Sequence, residues 1–339
     1  MTATNTPLVS VIVLSYNSAD TIEQALDSVL AQRCAFGVEV LVGDDGSSDG
    51  TQRILRSYAD RYPDAVRLLL SAENRGVQAN YFDCLEAARG EFIADCAGDD
   101  YWCGTERLQR LVDALTAAPQ AVASFSDWQC LHVADGSLTD AAPRLCRNVA
   151  RGEMLLPLLA SCSSPAWHLS ASVFRKAAVM PDYERCRDSL YRNAAYACED
   201  LQVMAALADA GPMVYVPGPT LVYRVGHAAA ITSASDAGRA ARFALSSLAL
   251  VRALAQRFGL ATHPDVAARI AVLCRFALSQ AALSGDSGLA RRAAGECGQV
   301  SGLPLPTRML RFALSVPGGP RMVKALKTLK SYAKKRENR

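Results

Sequence analysis

Short apolar runs alternate with longer amphipathic ones through the first 126 residues. That rhythm predicts strand–helix–strand units and a largely parallel sheet. Leu8 to Leu14 reads as a buried strand, and Asp20 with Glu23 forms a capping-box pair opening a helix whose face carries Ile22, Ala25, Leu26, Val29 and Leu30. Val38 to Val42 is the second strand, and Asp44-Asp45-Gly46-Ser47-Ser48-Asp49-Gly50 is a turn feeding a helix that runs to about Tyr62. Val66 to Leu70 is a third strand, followed by an Asn74-Arg75-Gly76 loop and a helix from Val77 to Ala88. Glu91 to Cys96 is a fourth strand, ending at Gly98-Asp99-Asp100, and a helix over Leu108, Leu111, Val112 and Leu115 comes next. Further strands are predicted at Ala121 to Phe125, Ser170 to Phe174 and Met213 to Val216, with a helix over Leu201 to Leu207 starting just after Glu199-Asp200.

In a parallel sheet, the acids after the second strand and those after the fourth share one carboxyl edge. That edge is where open α/β sheets bind ligands. Beyond Ile231 the chain turns almost wholly helical and rich in Ala, Leu and Arg. Two regions follow: residues 1–230, an α/β domain, and residues 231–339, a helical appendage. The last stretch, Arg321 to Arg339, holds eight basic residues against one Glu, with Met322, Val323, Leu326, Leu329 and Tyr332 at helical spacing. It is read either as a basic amphipathic helix able to lie on an anionic membrane or as a solvated tail.

Composition narrows the function. Over 339 residues, 36 Lys and Arg against 33 Asp and Glu leave a charge of +3, so a polycationic nucleic-acid binder is excluded. Eleven scattered cysteines without a C-x-x-C pair predict reduced thiols in a cytosolic protein and no zinc site. No secretory signal pattern is seen at the start, and Arg242, Arg252 and Arg257 interrupt the most hydrophobic later helix, so a peripheral rather than spanning relation to membranes is expected.

The adjacent carboxylates Asp99 and Asp100 suit a hard divalent cation that bridges phosphate oxygens, and equally an ordinary polar turn. Asp44-Asp45 can accept hydrogen bonds from a nucleobase or a ribose, or cap a solvated turn. Tyr16, just past the first strand, can stack on a base or simply pack. Glu199-Asp200 is either a helix-end dipole partner or the source of a general base. None of the histidines 132, 168, 227 and 263 is spaced like a metal cluster. No G-x-S-x-G, P-loop or G-x-G-x-x-G pattern occurs.

Taken together, Val9-Ser10-Val11-Ile12-Val13-Leu14-Ser15-Tyr16-Asn17, Asp44-Asp45-Gly46-Ser47-Ser48-Asp49-Gly50-Thr51, Asn74-Arg75-Gly76, Gly98-Asp99-Asp100-Tyr101-Trp102, Cys198-Glu199-Asp200 and Tyr223-Arg224 resemble the family 2 glycosyltransferases. The resemblance spans about residues 7 to 230. It implies a GT-A fold, a Rossmann-like mixed sheet flanked by helices, that binds a nucleoside diphosphate sugar with Mg²⁺ or Mn²⁺. By motif match, Tyr16 and Asp45 would contact base and ribose, and Arg75 would lie near the base or diphosphate. Asp99 would ligate the metal with Asp100 beside it, and Asp200 would be the base that activates an acceptor hydroxyl for inverting attack.

The resemblance further implies a saccharide or lipid-linked acceptor, work on a cell-surface polysaccharide, a cytoplasmic location at the inner membrane face, and no nucleic-acid partner. Two departures stand out. Ala97 replaces the first acid of the usual Asp-x-Asp-Asp, and His227 follows Tyr223-Arg224 one residue late. Ser163, Ser164, Trp167 and His168 are read as the acceptor side or as a strand-entry loop around a buried Trp. The competing classes are a nucleotidyltransferase, which normally needs a glycine-rich basic loop that Ser15-Tyr16-Asn17-Ser18 does not supply, and a non-catalytic nucleotide-sugar-binding module.

Overall fold

The computed structural model describes residues 6–141, 145–161, 167–226, 236–316, 318–320 and 322–324. These divide into two compact units, residues 1–158 with 163–225, and residues 159–162 with 226–339.

In the first unit, β1 (Val9–Ser15), β2 (Val38–Asp44), β3 (Val66–Leu70) and β4 (Phe92–Ala97) pair in parallel in the order β3-β2-β1-β4. β1 is central and covered on both faces, which is why its sequence is nearly all apolar. On one face, Val9, Val11, Val13, Ala94 and Cys96 pack with Leu26 of α1 (Ile22–Leu30), Leu55 of α2 (Thr51–Arg61) and Leu108 of α4 (Arg107–Ala117). α3 (Val77–Ala87) lies against β1 and β2 and buries Tyr81, Phe82 and Leu85. It approaches so closely that a Cβ on Gly43 would sit 2.3 Å from Asn80 Oδ1 and 2.6 Å from Cys84 Sγ.

The remaining strands make the sheet mixed. β5 (Tyr101–Trp102), β6 (Ala123–His132), β7 (Leu138–Asp140), β8 (Ser172–Arg175) and β9 (Met213–Val225) extend it as β4-β8-β6-β9-β5, with β7 on β6. β8 is antiparallel to β4 and β6, whereas β6 and β9 run parallel. α5 (Leu155–Ala160), whose last two residues count with the second unit, α6 (Lys176–Cys186) with Pro181 inside it, and α7 (Asp200–Ala210) complete the helices of this stretch.

Two expectations are corrected. The Asp20/Glu23 capping box does not form: Thr21 is the N-cap residue of α1, no side chain caps it, and the Thr21 hydroxyl donates instead to Gly98 O at 2.7 Å. β6 and β9 are also much longer than the four- or five-residue pieces that the pattern predicts, because they pair along most of their length.

The second unit is built from α8 (Ala237–Arg257), α9 (Pro264–Ser284), α10 (Ser287–Gly298) and α11 (Leu305–Ser315). Asp236, His263 and Asp286 cap the first three by accepting backbone N–H groups. α9 is long and apolar enough to cross a bilayer by length and composition, with a mean hydropathy of 1.5. It packs along α8, α10 and α11 with Cys274, Ala277, Leu278 and Ala281 buried, while Val272 and Phe276 on its other side are exposed. The basic tail from 325 onward, His227, Ser163 and Ser164 lie outside the described residues.

Candidate active site

Four loops leave the carboxyl edge of the parallel strands β1 to β4. After β1 comes Tyr16-Asn17-Ser18, with Asn17 in the left-handed region at φ 50° and Tyr16 half exposed at 48%. Asn is among the residues that tolerate this conformation. It tethers the next loop, its own N–H donating to Ser47 Oγ at 2.8 Å and its Oδ1 accepting the Ser48 N–H at 2.9 Å.

The loop after β2 carries two buried acids with different tasks. Asp44 accepts from the Ser15 hydroxyl (2.9 Å), the Ser47 N–H (3.0 Å) and Gln52 Nε2 (2.8 Å). Asp45 accepts the N–H of Arg75 at 2.8 Å on one oxygen and that of Gly76 at 2.9 Å on the other. Its carboxylate therefore holds the 74–76 loop in place. The Arg75 guanidinium reaches Ser71 Oγ at 3.0 Å and Asp83 at 2.5 Å.

The loop after β4 begins at Gly98, whose N–H donates to Leu14 O at 2.7 Å; a Cβ there would meet that same oxygen at 2.8 Å. Glycine thus lets the loop turn against β1 and present Asp99 and Asp100. Asp100 is buried and its Oδ1 accepts the Arg224 N–H at 2.8 Å. Burial, and then the neighbouring Asp99, push its carboxyl well above the ordinary range. Arg224, near the end of β9, also donates its guanidinium to Asp99 O and to Gln24 Oε1, and lies 5.1 Å from the Tyr101 ring centre. The sequence singles out Tyr223-Arg224 only as part of a pattern. Its task here is to hold the acidic loop.

This donor set fits a hard divalent cation. Two carboxylates sit side by side, and one is so crowded and desolvated that a cation would relieve it. Among the described residues no group of three or more His, Cys, Asp or Glu could form an all-protein cage. The other ligands would have to be phosphate oxygens and water, which is how Mg²⁺ and Mn²⁺ are commonly held with nucleotides.

Asp200 is exposed and occupies the first turn of α7. Beside it Glu199 is half-buried, and burial of its carboxyl, followed by the Asp200 and Asp95 charges, pushes it up to about 8. Asp95, in the middle of β4, was not legible as a site residue. It faces Tyr81, whose hydroxyl lies 3.4 Å from Oδ2, while Oδ1 has no hydrogen-bond partner. Burial pushes Asp95 up to about 7, with the Asp200 charge adding to the shift. A period-2 reading of β4 places Asp95 on the Ile93 face, where a polar residue in an apolar strand was the available signal. Trp167 is fully buried and donates to Ser172 Oγ at 2.6 Å, so it belongs to the strand-entry loop. Burial pushes His168, between the Trp128 and Tyr223 rings, down to about 4.

Comparison with known proteins matches this part of the chain. Residues 10–127 fit the model of glycosyl transferase family 2. An uncharacterized protein of Mycobacterium tuberculosis is 42% identical over 136 residues, which span 40% of this chain and 39% of that protein. The putative teichuronic acid biosynthesis glycosyltransferase TuaG of Bacillus subtilis is 38% identical over 96 residues, 28% of this chain and 37% of TuaG. The chain thus spans well under half the length of these curated relatives. The crystal structure of residues 1–349 of S. aureus TarS in complex with UDP-GlcNAc superposes with a TM-score of 0.59 at 19% identity, covering 95% of this chain and 92% of that one. The fold is therefore that of the GT-A glycosyltransferases.

Proposed function

We propose, from the match of residues 10–127 to glycosyl transferase family 2, that this chain transfers a sugar from a nucleoside diphosphate sugar to a hydroxyl of a saccharide or lipid-linked acceptor, with inversion, in polysaccharide synthesis. The observation that carries this reading is the convergence of the Asp44-Asp45 and Asp99-Asp100 loops on one edge of parallel strands, with Arg224 bracing the second. In this reading Tyr16 supplies a face for the base, and Asp45 and Arg75 form the wall beside base and ribose. Asp99 and Asp100 hold a divalent cation, which when bound would supply positive charge to the leaving diphosphate.

Asp200 takes the acceptor proton. As it does so, the acceptor oxygen bonds to the anomeric carbon and the bond from that carbon to the diphosphate oxygen breaks. Glu199, pushed up to about 8, keeps its proton at neutral pH, so the base is assigned to its neighbour Asp200.

The test is a thermal-shift panel of UDP, GDP and dTDP and their sugars, with and without Mn²⁺, on wild type, Asp99→Ala and Asp200→Asn. A ligand at a hundred times its Kd stabilises the native state by about 2.7 kcal/mol. The expected result is a metal-dependent shift with one base, lost in Asp99→Ala. Asp200→Asn should keep the shift but lose turnover by at least about a hundredfold. Binding with wild-type turnover in Asp200→Asn would remove the assigned base, and binding without turnover in wild type would leave a nucleotide-sugar-binding module.

A further inference from the structure

We propose that the outward face of α11 is a docking surface for an anionic phospholipid membrane. The inference concerns the second unit alone and does not rest on the transfer reading above.

α11 is amphipathic with an apolar stripe turned outward. Only Thr307 and Leu314 are buried, whereas Leu305, Met309 and Phe312, three and four residues apart, are 64%, 64% and 69% exposed. At 3.6 residues per turn these three stack along one side of the helix, opposite the buried pair. A contiguous stripe of large apolar side chains facing solvent marks an interaction surface rather than a scattered exception.

The charge around the stripe selects the occupant. Arg308 and Arg311 lie on the same helix and line a cavity of about 250 Å³ at the α10–α11 turn, together with Ser301, Gly302 and Leu303. Two guanidinium groups and a hydroxyl at a roomy, open cavity are suited to a phosphate headgroup. The wider sequence carries the same sign. Between Glu296 and Glu337 there is no acidic residue, and nine Lys and Arg occur from Arg308 to Arg336. The basic tail of this chain and a second copy of the same face would both meet like charge here. An anionic lipid surface offers the opposite charge and an apolar layer below it, the combination that interfacial helices use.

The test is sedimentation of the full chain with vesicles of phosphatidylcholine alone or with phosphatidylglycerol added. Wild type should bind the anionic vesicles and release them as salt rises. Met309→Ser with Phe312→Ser should lower the partition coefficient tenfold or more, and Arg308→Gln or Arg311→Gln about fivefold for each charge removed. Arg308, Met309 and Phe312 are exposed and Arg311 is half-buried beside Gly298 of α10, so unchanged far-UV circular dichroism should accompany the losses in the first three, and Arg308→Gln carries the charge test free of packing. Equal binding of wild type to neutral and anionic vesicles, or wild-type partition by the α11 variants, would overturn the proposal. So would vesicle-independent dimerisation of wild type that Met309→Ser with Phe312→Ser abolishes.

Discussion

Asp95→Asn should reverse the order of stability of wild type and variant between acid and alkaline pH. The Asp95 carboxyl sits at about 7 instead of 3.8, so at 1.36 kcal/mol per unit its ionisation in the folded protein costs about 4 kcal/mol. The sign follows from proton counting. Below about pH 4 both folded and unfolded chains hold the proton, and between about 4 and 7 only the folded one does, so stability falls as pH rises through that window. Above about 7 the whole penalty is present. The asparagine has no such slope, but its NH₂ group occupies a place where Oδ1 has no partner, at a cost of about 1–2 kcal/mol at every pH. The variant should therefore be less stable than wild type by about 1–2 kcal/mol near pH 4 and more stable by about 2 kcal/mol near pH 8.5. Urea unfolding followed by tryptophan fluorescence is the assay, because Trp102, Trp128 and Trp167 all belong to the first unit and report its unfolding selectively. Parallel pH profiles of the two proteins would refute the reasoning.

Arg224→Ala removes the guanidinium contacts to Asp99 O and Gln24. It should weaken Mn²⁺-nucleotide binding about tenfold by calorimetry while costing only about 1 kcal/mol of stability. At the opposite end of the strands, burial works to raise Glu39, but hydrogen bonds from Ser10, the Arg89 N–H, Arg67 and the Arg89 side chain hold it below the ordinary range. This stabilisation is present above about pH 4.5 and is lost as pH falls, so Glu39→Gln should cost about 2 kcal/mol at pH 7 and progressively less in acid, as read by thermal unfolding at both. Gly43→Ala places a methyl 2.3 Å from Asn80 Oδ1 and should cost about 2 kcal/mol through overpacking, measured by denaturant midpoint.

What could be read from the sequence was the part governed by local period. β1 to β4 and α1 to α4 fall within a few residues of the predicted spans, because each buries a face set by its own alternation. The second half of the sheet depends on partners distant in sequence. The strand predicted from Met213 to Val216 continues as β9 to Val225, through Pro217-Gly218-Pro219. The register shifts between Ser126 and Trp128 absorb the interruption, and Gly218 N–H donates to Asp127 at 3.0 Å. α6 is hidden from the pattern by Pro181 for a similar reason. The acidic loops were visible as turn chemistry at strand ends. Arg224 was visible only as part of a pattern and Asp95 not at all, since the task of each is set by residues brought to it by the fold: the acidic loop for Arg224, and Tyr81 and the start of α7 for Asp95.

The bracing of Asp99 and Asp100 by Arg224 spans more than a hundred positions of the chain. During synthesis, β1 to β4 emerge early and can pair among themselves, while the strand that carries Arg224 is made last in the first unit. Contacts of such sequence separation form late. A nascent chain halted before residue 224 would thus hold a paired parallel sheet whose acidic loop is still unbraced. Under the proposed function, competence to bind nucleotide would then arrive near the end of this unit's synthesis, as its last long-range pairing closes.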